Sequence, residues 1–185
     1  MTKIFFDIET YSPDASKRPK FKEKIITIAY KTENSEISIF KEWEIGEKEV
    51  LRRFIEVILH TDWPNLVGHN ILCFDIPVMI YRSIVNDLSS LHDLMTLFMG
   101  SFPIDTIQCL LPANNLYFKG LRLTDCANYM GIEMKSCLGI DICKHYENEN
   151  YQEIIRHNIE DVLTTEKLHD CILSSSFNPF DNSRT

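Results

Sequence analysis

FFDIET, residues 5–10, extends an apolar run that begins at Ile4 and sets two carboxylates, Asp7 and Glu9, two positions apart inside it. The β-branched and aromatic neighbours read as a strand. In a strand, residues two apart face the same side, so Asp7 and Glu9 project together. Two acids side by side in an apolar strand are costly to bury unless a cation neutralises them. Carboxylate oxygens suit a hard divalent ion such as Mg²⁺ or Mn²⁺. Taken alone, the pair also fits a strand end whose acids face water, and the choice rests on the rest of the chain.

Downstream, YSPDASKRPKFKEK (11–24) is a polar, proline-marked loop holding Lys17, Arg18, Lys20, Lys22 and Lys24. Such a run reads either as a solvated loop or as a guide for phosphates entering beside the acidic strand. Residues 24–32 and 35–45 alternate and read as a hairpin. Residues 47–60 place Val50, Leu51, Phe54, Ile55, Ile58 and Leu59 at helical spacing. A short strand over 65–70 then leads into a helix over 74–88, with Pro77 tolerated in its first turn. Residues 88–99 repeat apolar groups at helical intervals, 102–107 reads as a short strand, and 121–131 and 150–173 read as helices. The order predicts an α/β fold, a mixed sheet with helices packed on it. A single domain is expected over 1–173, with a loose tail over 174–185.

A 185-residue chain with 44% hydrophobic and 25% charged residues has the composition of an ordinary globular protein. The opening residues carry no signal-peptide pattern and no stretch reaches membrane-spanning length, so a cytoplasmic location away from membranes is expected. The six cysteines form no C-x-x-C pair, and Cys137, Cys143 and His145 match no standard zinc module. A net charge of −8 argues against non-specific coating of nucleic acid, which relies on cations neutralising phosphates. It leaves room for an enzyme handling one strand end at an acidic metal site.

Two further motifs supply that site. GHNILCFDIP (68–77) carries Asn70 and Asp75 where a strand passes into a helix, a usual place for a site at an open sheet's edge. HNIEDV carries His157 and Asp161 four apart, on one helix face a turn apart. With these motifs the chain resembles the DEDD, or DnaQ-like, superfamily of 3′–5′ exonucleases, and is most similar to the proofreading domain of family-B DNA polymerases. The D-x-E motif matches Asp7 and Glu9; the second motif matches Gly68, His69, Asn70, Phe74 and Asp75; the third matches His157 and Asp161. The likeness continues through IDT (104–106) and 119–132 and covers nearly the whole chain. One departure stands out: this chain has a histidine at the spacing of the superfamily's tyrosine branch, Y-x₃-D, whereas the histidine branch uses H-x₄-D.

The resemblance implies a ribonuclease H-like fold, a mixed five-stranded sheet flanked by helices, and two divalent cations, Mg²⁺ or Mn²⁺, as cofactors. Asp7, Glu9 and Asp161 would hold one ion, with Asp7 bridging to a second that Asp75 supports. Such a pair releases 5′-mononucleotides from a 3′ end by hydrolysis. His157 is the candidate proton acceptor, or else a helix residue that packs. Tyr11 either stacks on a terminal base or belongs to the core, and Asn70, Lys17, Arg18 and Lys20 complete the candidate substrate contacts. The expected partner is a nucleic-acid 3′ end, DNA before RNA, together with a polymerase or another replication or repair protein. Proofreading would act in trans, because the sequence shows no polymerase domain. An exoribonuclease for RNA ends or short oligonucleotides remains open, as does a binding or assembly subunit that keeps the fold without turnover.

Overall fold

In the computed structural model the described residues are 1–13, 22–33, 35–134 and 141–174. The basic-loop residues Lys17, Arg18 and Lys20 lie outside them, as does the expected tail apart from Ser174. Five strands, β1 (Thr2–Tyr11), β2 (Lys24–Thr32), β3 (Ser38–Lys41), β4 (Pro64–Gly68) and β5 (Ile104–Asp105), form one sheet in the order β3-β2-β1-β4-β5. The first three pair antiparallel; β4 joins β1, and β5 joins β4, in parallel. This is the mixed α/β sheet of a ribonuclease H-like fold.

The helices are α1 (Glu42–Ile45), α2 (Glu47–Leu59), α3 (Asp75–Val85), α4 (Leu91–Gly100), α5 (Thr106–Leu110), α6 (Leu123–Tyr129), α7 (Ile142–Glu147) and α8 (Tyr151–Leu173), with a 3₁₀ turn at Leu111–Asn114. Alternation along β1 decides which layer each helix meets. Ile4, Phe6 and Ile8 face one way and form the main core with Val50, Leu51 and Phe54 of α2 and Val78 and Met79 of α3. Phe5 faces the other way and packs with Ala29, Val67 and Val162 of α8. Asp7 and Glu9 share the parity of Phe5, so the strand's pleat delivers both acids to the α8 side.

Three sequence expectations shift. The second hairpin strand, expected over 35–45, pairs only over Ser38–Lys41, and Glu42–Ile45 turn into helix, stopped at Gly46 with φ 79°. The strand expected over 65–70 runs over Pro64–Gly68, with Pro64 at its first position, where the missing N–H costs no ladder bond. The strand expected over 102–107 is two residues long, because the Asp105 side chain accepts from Ile107 N at 3.0 Å and starts α5.

Candidate active site

The site forms where β4 stops and β1 continues. Pairing of β1 with β4 ends at Phe5↔Val67, while pairing with β2 runs on to Tyr11 with a bulge between Glu9 and Thr10. Beyond that point the Ile8 amide donates to Asp75 Oδ1 at 3.3 Å, which draws the first residue of α3 against the acidic segment of β1. The chain leaves β4 through Gly68, whose close packing admits no side chain: a Cβ there would lie 2.1 Å from Ile71 Cγ2 and 3.1 Å from the Phe6 carbonyl. Asn70 follows with a left-handed φ of 66°.

Asp105 holds this turn. Its carboxylate accepts from Asn70 N at 2.9 Å, Leu72 N at 3.0 Å and Ile107 N at 3.0 Å, and the residue is buried. His69 braces it from the other side, with Nδ1 2.8 Å from Thr106 Oγ1 and Nε2 2.8 Å from the Leu121 carbonyl. Burial lowers the His69 pKa from the ordinary imidazole value, against the Leu121 hydrogen bond and the Asp105 charge.

From the opposite side, α8 contributes two consecutive polar residues, His157 and Asn158. His157 Nδ1 lies 2.8 Å from Glu9 Oε1 and 3.6 Å from Asp161 Oδ2. Asn158, fully buried, donates from Nδ2 to Asp7 Oδ2 at 2.7 Å and accepts from Thr27 Oγ1 at 2.8 Å. The Asp7 carboxylate, when ionised, only accepts, so it takes the amide Nδ2 and leaves Oδ1 to the Thr27 hydroxyl. The sequence-predicted residues Asp7, Glu9, Asp75, Asp161 and His157 are brought together from β1, α3 and α8. Asn158 and Asp105 are additions that their positions beside His157 and within IDT did not reveal.

Tyr11, two residues past Glu9, packs in an aromatic cluster. Its ring is 4.8 Å from that of Tyr146, in a cluster where Trp43 stacks on Tyr151 at 4.2 Å, and its hydroxyl donates to Glu147 at 3.2 Å. It is half-buried against α7, a helix absent from the sequence-level expectations.

The electrostatics show the strain of this gathering. Burial, then the charges of Asp75, Asp161 and Glu9, raise the Asp7 pKa well above the usual carboxylate value, while the Asn158 hydrogen bond opposes. Asp75 is pushed up to about 8, chiefly by burial, with Asp105 and Glu9 adding and the Ile8 and Asp75 amides opposing. Asp161 is pushed up to about 7 by burial, with His157 opposing and Glu9 and Glu160 adding. The His157 pKa is also raised: burial acts to lower it, but the Glu9 hydrogen bond and the charges of Glu9, Asp161 and Glu160 outweigh that.

Such a set fits a divalent cation on its chemistry. Ligand atoms of Glu9, His157 and Asp161 lie within 4.8 Å of one another, and Asp7 and Asp75 add carboxylates whose mutual repulsion a hard dication removes.

Comparison with known proteins follows the same lines. A stretch of 78 residues is 34% identical to DNA polymerase 2 of Aeropyrum pernix, covering 42% of this chain and 10% of that protein. The structure superposes on that of the family B DNA polymerase from the hyperthermophilic archaeon Pyrobaculum calidifontis with a TM-score of 0.70 and 18% identity, over 93% of this chain and 24% of the polymerase. The chain thus spans about a tenth and about a quarter of these two proteins. No helix among the described residues is long and apolar enough to cross a membrane. Residues 4–173 match the sequence profile of the RNase H superfamily, and the chain belongs to it.

Proposed function

We propose that the protein is a metal-dependent 3′–5′ exonuclease that removes 5′-mononucleotides from the 3′ end of single-stranded DNA. The carrying observation is the convergence of Asp7, Glu9, Asp75 and Asp161 from three elements around one point, with His157 seated between Glu9 and Asp161. These four acids would hold two Mg²⁺ or Mn²⁺ ions, which when bound activate the attacking water and stabilise charge on the departing 3′ oxygen.

The chain's own groups do the remaining work. Asn158 holds Asp7 in one orientation, and Asp105, through the Asn70 and Leu72 amides, holds the turn from which Asp75 enters. His157 engages Glu9 through Nδ1, which leaves Nε2 as the nitrogen that takes the proton of water attacking the terminal phosphodiester. As the water oxygen bonds to phosphorus the P–O3′ bond breaks, the 5′-mononucleotide departs, and the 3′ oxygen takes a proton from solvent to become the new 3′ hydroxyl of the shortened strand. The likeness to two DNA polymerases supports a DNA strand and a polymerase or other replication or repair protein as partner.

The test uses 5′-labelled single-stranded DNA, duplex DNA and RNA of one sequence, each with Mg²⁺, Mn²⁺ or chelator, and Asp7→Ala as the control for contaminating nuclease. Single-nucleotide shortening from the 3′ end of DNA, abolished by chelator and in Asp7→Ala, is the expected result. No shortening with either dication overturns the reading, and faster loss of RNA moves the substrate to RNA.

A further inference from the structure

The segment between the 3₁₀ turn and α6, LYFKGLR at 116–122, exposes two aromatic rings that its own packing does not require. Tyr117 is 70% and Phe118 53% exposed. Leu121 does the anchoring instead: it is buried with Ile107, Leu110, Cys126 and Leu168. The loop is nonetheless held in one shape. Asn114 Nδ2 donates to the Tyr117 carbonyl and, at 3.1 Å, to the Lys119 carbonyl. Leu116 N donates to Leu111 O at 2.9 Å, and Tyr117 N to Asn114 O at 3.0 Å.

These bonds hold Asn115 and Leu116 at φ of 52° and 64°; asparagine tolerates this left-handed conformation, whereas it costs Leu116 on the order of 1 kcal/mol. Strain retained to present two rings to water indicates a surface made for contact. Its charge points the same way. Residues 113–124 hold Lys119 and Arg122 and no acid, in a chain of net charge −8, and Asp125 is the first carboxylate after them. Exposed aromatics interleaved with cations match single-stranded nucleic acid, whose bases stack and whose phosphates attract Lys and Arg. The loop is also tied to the site: the Leu121 carbonyl meets His69 Nε2 at 2.8 Å, and His69 precedes the turn that carries Asp75.

We propose that Tyr117, Phe118, Lys119 and Arg122 form a platform for the single strand behind its 3′ end, with the two rings stacking on bases and the two cations engaging phosphates. This rests on the exonuclease reading and names where that substrate's body lies. It places strand binding away from the net-negative catalytic centre, where carboxylates alone would repel phosphates.

The test measures binding of fluorescein-labelled oligothymidylates of two to twelve nucleotides in chelator, and hydrolysis of the same oligomers with Mn²⁺. Wild type is compared with Tyr117→Ala, Phe118→Ala, Tyr117→Trp and Lys119→Ala/Arg122→Ala; melting temperatures check that each variant folds. Each alanine aromatic variant should bind the long oligomers roughly 5- to 150-fold more weakly, the span of one base–aromatic stack. Dinucleotides should bind unchanged, and kcat at saturating substrate should hold while KM rises. Tyr117→Trp should keep binding and show quenched indole fluorescence. The double cation variant should flatten the salt dependence by roughly 0.7 in slope per phosphate lost. Abasic residues within the strand should erase the difference between wild type and Tyr117→Ala.

Equal binding of all lengths by folded Tyr117→Ala and Phe118→Ala overturns the platform. So does a change confined to self-association, which would assign the rings to a protein interface. If wild type hydrolyses the oligomers while these variants match it at every length, the platform fails alone. If wild type binds long strands through the rings yet hydrolyses nothing, the exonuclease reading fails alone.

Discussion

Asp75→Asn should make the metal-free protein more stable at alkaline pH, although it removes one of the four acids on which the proposed activity depends. Asp75 is buried with a pKa of about 8, against 3.8 for an ordinary aspartate. Between those values the folded protein holds a proton that the unfolded chain has released. Stability from this group is therefore full below pH 3.8, falls as pH rises through the window, and is fully lost above about 8. Asparagine resembles the protonated acid in shape, keeps an oxygen for the Ile8 amide, and has no proton to lose.

At 1.36 kcal/mol per pH unit, full conversion gives roughly 5–6 kcal/mol. Solvent relaxation around buried charges leaves about half, or about 3 kcal/mol. For a chain of this size that is about 6–12 °C in Tm. Removing the Asp75 charge also eases Asp7, which adds with the same sign. The assay is thermal unfolding by circular dichroism in chelator, wild type against variant, from pH 4.5 to 8.5. The curves should converge toward pH 4.5 and part by several degrees at pH 8.5. Mn²⁺ at pH 8.5 should then stabilise wild type more than the variant. Parallel curves, or a variant less stable than wild type at pH 8.5, would refute the claim that these carboxylates are crowded in want of a cation.

Asp7→Ala, Glu9→Ala and Asp161→Ala should each lower turnover on single-stranded DNA by at least about a hundredfold; near-normal rates for Asp7→Ala and Asp161→Ala together would remove the two-ion reading. His157→Gln should lose on the order of a hundredfold to ten-thousandfold. It should also lose an acid limb present in the wild-type pH–rate profile, since a proton acceptor must be neutral to act; superimposable profiles would make His157 a packing residue. Asn158→Leu should weaken Mn²⁺ binding roughly 10- to 100-fold, read as the Mn²⁺-induced rise in Tm, because it removes the amide that holds Asp7, and Thr27→Val should weaken it less, because it removes only the hydroxyl that holds that amide; an undiminished rise in both would show that Asp7 needs no such brace. Gly68→Ala should destabilise by about 1–3 kcal/mol in denaturant unfolding, since the Phe6 backbone and Ile71 leave no room for a methyl group; a neutral effect would mean that the turn yields.

What the sequence disclosed and what it withheld divide along one physical line. Periodicity reports which face of an element is buried, so α2, α3, α8 and the pleat that pairs Asp7 with Glu9 were legible from residue spacing. Partners distant in sequence are not periodic. Asn158 meets Asp7 across 151 positions and Thr27 across 131, and nothing in HNIEDV distinguishes it from a solvent-facing asparagine. Asp105 read as part of a short strand, yet its three amide partners make it the brace of the turn before Asp75. The neighbour of Tyr11 is hidden for the same reason, since Tyr146 sits on α7, six residues whose pattern is too short to declare a helix. The acids that would hold cations are therefore visible in the chain, while the neutral groups that aim them emerge only once the chain has folded. The substitutions at Asn158 and Thr27 bear on this directly, because they test whether aiming contributes to the site as much as charge does.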